Sequence, residues 1–317
     1  MLDLFEFTAR PQSELLFRRN DARDPRLGDA IRTEPTHYDH SRVVILGCPQ
    51  DEGVKRNKGR PGAEFAPAEI RRALYRLTTF GITAESVFDL GDIKLGATLE
   101  KTHELQKTVV TQLLRDKKTV IALGGGNDIS FPDCSALLDL FPDAIAINID
   151  AHFDVRQAPE AHSGTPYRQL LEGRRLQPAN LFELGYQPAL NSHVYLDYLT
   201  NLGVACVSLR ELREDGVLRS IVELLGHDHV NAPAIFWGFD VDSVRSADAP
   251  GVSAPSPIGF TSEEFCDLAR LAGERANTRI IEFTEVNPTL DVDNRTSKLV
   301  AFAIHEFLRA SVSSEHG

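Results

Sequence analysis

The chain has 317 residues, of which 42% are apolar and 25% charged, and its 46 acidic against 34 basic side chains leave a net charge of −12. That balance suits a globular protein with a core large enough to fold without disulfides or a structural metal. The absence of a lysine- or arginine-rich run argues against a nucleic-acid partner, and no apolar run approaches the roughly 20 residues of a membrane span.

The N-terminus, Met1–Glu6, lacks the basic region and apolar stretch of a secretory signal. Cys48, Cys134, Cys206 and Cys266 are scattered without CxxC spacing. They are expected to be free thiols in a reducing cytoplasm.

Residues 1–40 are polar and loop-like and are expected to wrap the edge of a domain. From Val43 onward, short apolar runs alternate with helical patterns. Val43–Gly47 is the first run. A helix is expected over Pro67–Leu77, with Ile70, Ala73, Leu74 and Leu77 on one face. The run Val87–Gly91, the helix Thr102–Asp116 and the runs Thr119–Gly124, Ala144–Asp150 and Leu181–Gly185 follow. Then come the helix Ser192–Asn201, the run Val204–Leu209, the helix Leu209–Leu225 and the run Ala234–Asp240. The helix Thr261–Ala272, the run Arg279–Glu285 and the helix Thr296–Ala310 complete the series. Several runs are continuously apolar rather than alternating, as strands buried on both faces of a parallel sheet are. The expected fold is α/β: one domain over 1–317, three layers α/β/α, with a central, mostly parallel sheet of eight strands. Ligands of such sheets bind beyond the C-terminal ends of the strands.

The chemically unusual residues fall at those ends. In extended backbone, positions two apart point the same way, so Asp150, His152 and Asp154 converge after the run Ala144–Asp150. Alone, this pattern could also be a turn with Asx caps. Asp240 and Asp242 end another run and converge for the same reason. Two carboxylate clusters of this kind are costly to desolvate unless a cation holds them. Ligands rich in carboxylate and poor in histidine favour Mn²⁺ or Mg²⁺ over zinc, and a pair of such ions activates water for attack. Gly124-Gly125-Gly126-Asn127 ends a third run. It lacks the lysine of a phosphate-binding loop. Its glycines are expected to admit close backbone approach and to present Asn127 to the metal.

The pieces GGGND, DAHFD, GFDVD and EVNP, with Gly47–Gly53, Gly59–Ala63, Pro67–Arg71 and Asp89–Asp92, stand in an order that resembles the arginase/agmatinase/formimidoylglutamase family. The resemblance implies an arginase-like fold and two Mn²⁺ per chain. Asp150 and Asp240 would bridge the ions, Asp154 would serve one, and His152 and Asp242 the other. Asn127 stands where the family usually has histidine, so its ion would be held more weakly. Glu285 matches the acid that binds a cationic amidine. Ser163-Gly164-Thr165-Pro166 looks like the formimidoylglutamase branch, and Arg156, two residues beyond Asp154, would suit substrate carboxylates at the mouth. Ser163, Gly164, Tyr167 and Arg168 are further substrate-binding candidates. The implied reaction is hydrolysis of N-formimidoyl-L-glutamate to glutamate and formamide, a step of histidine degradation. Metal-bridging hydroxide would attack, Asp154 would pass a proton to the leaving amine, and Glu285 would steady the amidinium. Another ureohydrolase activity, on agmatine, arginine or a guanidino acid, is the nearest alternative, and a metal-poor, non-catalytic relative is a second. A small-molecule amidine or guanidine is the expected partner, in a cytoplasmic homo-oligomer that binds neither nucleic acid nor membrane.

Overall fold

The computed structural model of the protein describes residues 3–230 and 232–313. Its strands are β1 (Thr8–Ala9), β2 (Val43–Gly47), β3 (Val87–Ile93), β4 (Thr119–Leu123), β5 (Ile145–Ile149), β6 (Leu181–Tyr186), β7 (Ala205–Ser208), β8 (Ile235–Asp240) and β9 (Thr278–Thr284). They form one sheet of nine strands in the order β1-β3-β2-β4-β9-β8-β5-β6-β7. Only β1 runs antiparallel to its neighbour.

The eight expected strands are present as β2 to β9, each within a residue or two of its apolar run. The ninth, β1, lies in the segment expected to be loop-like. It is only two residues long and takes its pairing from Ile93 and Asp92 of β3. Helices pack on both faces, and the sheet separates two apolar cores. Val43 and Ile45 of β2 face one core, while Val44 and Leu46 face the other. Burial on both faces is why these strands read as continuous apolar runs.

The expected helices sit near their predicted limits. Thr98 caps the helix Leu99–Arg115, Ser192 caps His193–Leu202, and Thr261 caps Ser262–Glu274, each by accepting a backbone N–H. The long helix expected over Leu209–Leu225 is two helices, Leu209–Glu214 and Val217–Val230. Gly216, with φ of 93°, turns the chain between them. The helix Ser130–Leu140 was not apparent in the sequence. Ser130, Asp133 and Ser135 are buried, so it carries no polar stripe to mark its outer face. Among the described residues no helix is long and apolar enough to cross a membrane. All four cysteines are free.

Candidate metal centre

Four neighbouring strands, β4, β9, β8 and β5, deliver the site from their C-terminal ends. They bring together Asn127, Glu285, Asp240 with Asp242, and Asp150 with His152 and Asp154. The sheet thereby joins residues as far apart as Asn127 and Glu285, 158 positions distant in sequence.

Asp150, His152 and Asp242 form one group whose ligand atoms all lie within 4.8 Å of one another, and Asp150, Asp154 and Asp240 form a second. Asp150 belongs to both groups, whereas Asp240 falls in only one. Local turns aim these side chains. The His152 N–H donates to Asp150 Oδ1 at 2.7 Å, and the Asp242 N–H donates to Asp240 Oδ1 at 2.9 Å. One oxygen of each leading aspartate is thus held by backbone, and Asp150 Oδ2 also accepts from Asn148 Nδ2 at 3.4 Å. Asp154 and Glu285 have φ of 47° and 64°, in the left-handed region that non-glycine residues seldom enter. Such strain costs about 1–3 kcal/mol per residue and persists where surrounding structure fixes it.

The charges oppose one another. Burial, followed by the neighbouring carboxylates, raises the carboxyls of Asp154 and Asp240 well above their usual range. Burial also raises Asp150. His152 is pulled down by burial, but Asp242 and Asp150 override this and push it up to about 12. Its Nδ1 lies 3.3 Å from Asp242 Oδ1 and 3.4 Å from Asp150 Oδ1. Left to themselves, the acids therefore hold a proton on the imidazole, with which a divalent ion must compete. Asp242 Oδ1 is buried and accepts no hydrogen bond among the described residues. Clustered hard oxygens, one imidazole and an unsatisfied carboxylate oxygen fit a pair of manganese ions.

Asn127 also reaches the site. Its Oδ1 accepts hydrogen bonds from the hydroxyls of Ser130 and Thr284, each at 2.9 Å. Its Nδ2 donates to Asp154 Oδ2 at 2.7 Å. Two hydroxyl donors thus meet the amide oxygen, and the amide nitrogen faces Asp154. The glycines before it do admit close approach: a Cβ on Gly125 would lie 1.5 Å from the carbonyl oxygen of Gln50.

Glu285 is buried, its Oε1 accepting from the Asn127 N–H at 2.8 Å and its Oε2 from the Ser253 hydroxyl. Burial raises it to about 8, with Asp242 adding to the rise. At the rim, Arg156 is exposed and donates from Nη1 to Asn57 Oδ1 at 2.9 Å. Asn57 Nδ2 donates in turn to Ser163 Oγ at 3.0 Å. Gly164 accepts from the Arg156 N–H at 2.8 Å, and a Cβ there would press on the Arg156 side chain. Arg156, Ser163 and Gly164 thus form one rim cluster, into which a cavity of about 240 Å³ opens between His152, Asp154, Arg156 and Tyr195.

Tyr167 is not at that rim. It is fully buried, and its hydroxyl lies 2.7 Å from where a Cβ on Gly238 would be. The helix Pro166–Glu172 presents it to the sheet interior, one step below Asp240. Arg168 is turned outward, donating to Glu172 and to the carbonyl of Val155 and lying over the ring of Tyr198.

The sequence reading missed the layer beneath the cluster. Glu282 of β9, Gly238 of β8, Asn148 of β5 and Glu183 of β6 stand in one register row across the sheet. Asn148 Nδ2 donates to Glu183 at 2.8 Å, and Ser130 Oγ donates to Glu282. Burial keeps both acids well above the usual carboxyl range. An acid in the middle of a run buried on both faces was the available signal. Asn57 and Ser253 lie in irregular segments, where neither strand nor helix periodicity marks a side chain's direction.

A family model described as the arginase family matches residues 41–309. The formimidoylglutamase of Staphylococcus carnosus is 35% identical over 267 residues, covering 83% of this chain and 85% of that protein. The structure of Trypanosoma cruzi formiminoglutamase with Mn²⁺ is 32% identical, with a TM-score of 0.84 and coverage of 90% of this chain and 98% of that one. Formimidoylglutamase from Bacillus subtilis is 28% identical with a TM-score of 0.88, covering 94% of this chain and 95% of that one.

Proposed function

This chain belongs to the arginase family, and we propose that it hydrolyses the formimidoyl C–N bond of N-formimidoyl-L-glutamate, releasing L-glutamate and formamide. The observation that carries this reading is the pairing of two ligand groups that share Asp150 with the rim cluster of Arg156, Asn57 and Ser163. Relatives named formimidoylglutamase in three organisms support it.

Asp150, His152 and Asp242 would hold one manganese ion, and Asp150, Asp154 and Asp240 the other. Bound there, the ions supply the Lewis acidity that makes water a nucleophile near neutral pH. Asp154, held at Oδ2 by Asn127, takes up a proton and returns it to the departing amine of glutamate. Glu285 receives the amidinium. Its raised pKa means that the arriving cation displaces its proton to solvent, leaving a carboxylate to pair with the amidinium. Arg156 binds carboxylate at the rim, with Asn57 holding its guanidinium in place. One water is consumed: its oxygen goes to the formimidoyl carbon, the C–N bond to glutamate breaks, and the leaving nitrogen gains a proton.

A cytoplasmic homo-oligomer acting in histidine degradation accords with this reaction. The test is a parallel assay of Mn²⁺-loaded protein for formamide and glutamate from N-formimidoyl-L-glutamate, and for urea from arginine, agmatine and guanidino acids. Formamide release with no urea supports the assignment. Urea release without formamide replaces it with another ureohydrolase activity.

A further inference from the structure

The N-terminal ends of β3, β2, β4 and β9, at the far end of the sheet from the carboxylates, enclose a cavity of about 250 Å³. Arg42, Lys117, Arg275 and Arg279 line it, and among the described residues no aspartate or glutamate does. That is an uneven concentration of positive charge in a chain of net charge −12. Arg42 has a contact of its own. Lys117, Arg275 and Arg279 pair with no carboxylate among the described residues.

Arg279 is the most telling of the three. It is partly buried, and its guanidinium donates to the carbonyl oxygens of Ala276 and Thr278 at 2.9 and 3.2 Å. Burial lowers its pKa. Acids close by in sequence are engaged elsewhere. Asp116 accepts from Tyr38 at 2.7 Å and Gln112 at 2.8 Å, Glu274 pairs with Arg270 at 2.5 Å, and Glu306 pairs with Arg309 at 2.8 Å. The cavity wall is stiff. A Cβ on Gly273 would lie 2.4 Å from the Phe307 carbonyl oxygen, so the helices Ser262–Glu274 and Arg295–Ser313 meet backbone to backbone.

We infer that this cavity is a binding site for a small oxyanion, a phosphate or carboxylate group held by Arg279, Arg275 and Lys117. Guanidinium groups present parallel N–H donors that match such a group, and a desolvated cation without an acid gains most from one. The site lies at the opposite ends of β4 and β9 from Asn127 and Glu285, and is therefore separate from the reaction centre.

The test is calorimetric titration of the Mn²⁺-loaded full chain with sodium sulfate and, separately, with glutarate, at ionic strength held constant with sodium chloride. Saturable binding of sulfate identifies a phosphate-like ligand, and preferential binding of glutarate a carboxylate. Arg279→Gln and Lys117→Asn are each expected to weaken binding about tenfold, the loss of a hydrogen bond to a charged group. Lys117 has φ of 59°, which asparagine tolerates, so that variant removes charge without disturbing the backbone. The inference fails if neither anion binds saturably, or if both variants bind as the parent does.

Discussion

Asn127 donates to Asp154 at 2.7 Å while its amide oxygen is held by two hydroxyls. The amide therefore braces a carboxylate of the candidate metal centre from the side. Replacing it by a carboxylate reverses the interaction. Asn127→Asp is expected to melt several degrees below the parent when metal-free, as a further buried carboxyl then faces Asp154 where an N–H donor stood. Mn²⁺ should then raise its melting temperature by more than it raises the parent's, because a cation relieves the added repulsion. Equal melting temperatures of the two metal-free proteins would rule out the bracing contact.

Asp150 belongs to both ligand groups and Asp242 to one. Asp150→Asn is expected to abolish tight binding of both ions, whereas Asp242→Asn should retain one. Metal analysis after Mn²⁺ loading and desalting reads the difference directly. Equal metal content in the two variants would contradict the grouping.

Glu285 is held at about 8 by burial, against its ordinary 4.5. Between these values the folded chain keeps a proton that the unfolded chain has lost. On this account the stability of the metal-free protein falls as pH rises from about 4.5 to about 8. Asp154 and Asp240 act in the same direction. Glu285→Gln removes one contributor, so its melting temperature should decline less over that range than the parent's. The same variant should lose about 100-fold in kcat/KM toward a cationic amidine, roughly the 1.5–3 kcal/mol of a hydrogen bond to a charged group. An unchanged pH slope would show that Glu285 is already ionised in the fold.

Arg156 is exposed at the rim and held by Asn57. Arg156→Gln is expected to raise KM for N-formimidoyl-L-glutamate by about tenfold or more, with kcat little altered, because it removes binding shared by substrate and transition state. A formamidine without carboxylates should be hydrolysed equally by parent and variant. Asn57→Ala should shift KM in the same direction but by less. A fall in kcat for both substrates would instead give Arg156 a part in the chemistry.

The eight long strands and the two carboxylate pairs were legible because each rests on a local rule. Double burial writes an apolar run. Asp150, His152 and Asp154 do meet, but beyond the end of β5, through the turn at Asp150 and the positive φ of Asp154 rather than through extended backbone. Asn127 shows where local rules stop. Its position was apparent from the glycines beside Gln50, but the direction of its amide is decided by Thr284 and Ser130, one of them on another strand. Tyr167 was drawn toward the site by its place in the sequence and away from it by a helix that turns it under Gly238. β1 left no apolar trace because a two-residue edge strand buries little.

The last strand of the chain has a central seat. β9 lies between β4 and β8, although β8 is completed some forty residues before β9 begins. During synthesis, therefore, the facing edges of β4 and β8 stay open until Thr278–Thr284 leaves the ribosome. Unpaired apolar edges are templates for other chains. Nascent chains arrested before Thr278 should be the lengths that aggregate and engage chaperones, and release should come when β9 closes the gap and brings Glu285 to Asn127.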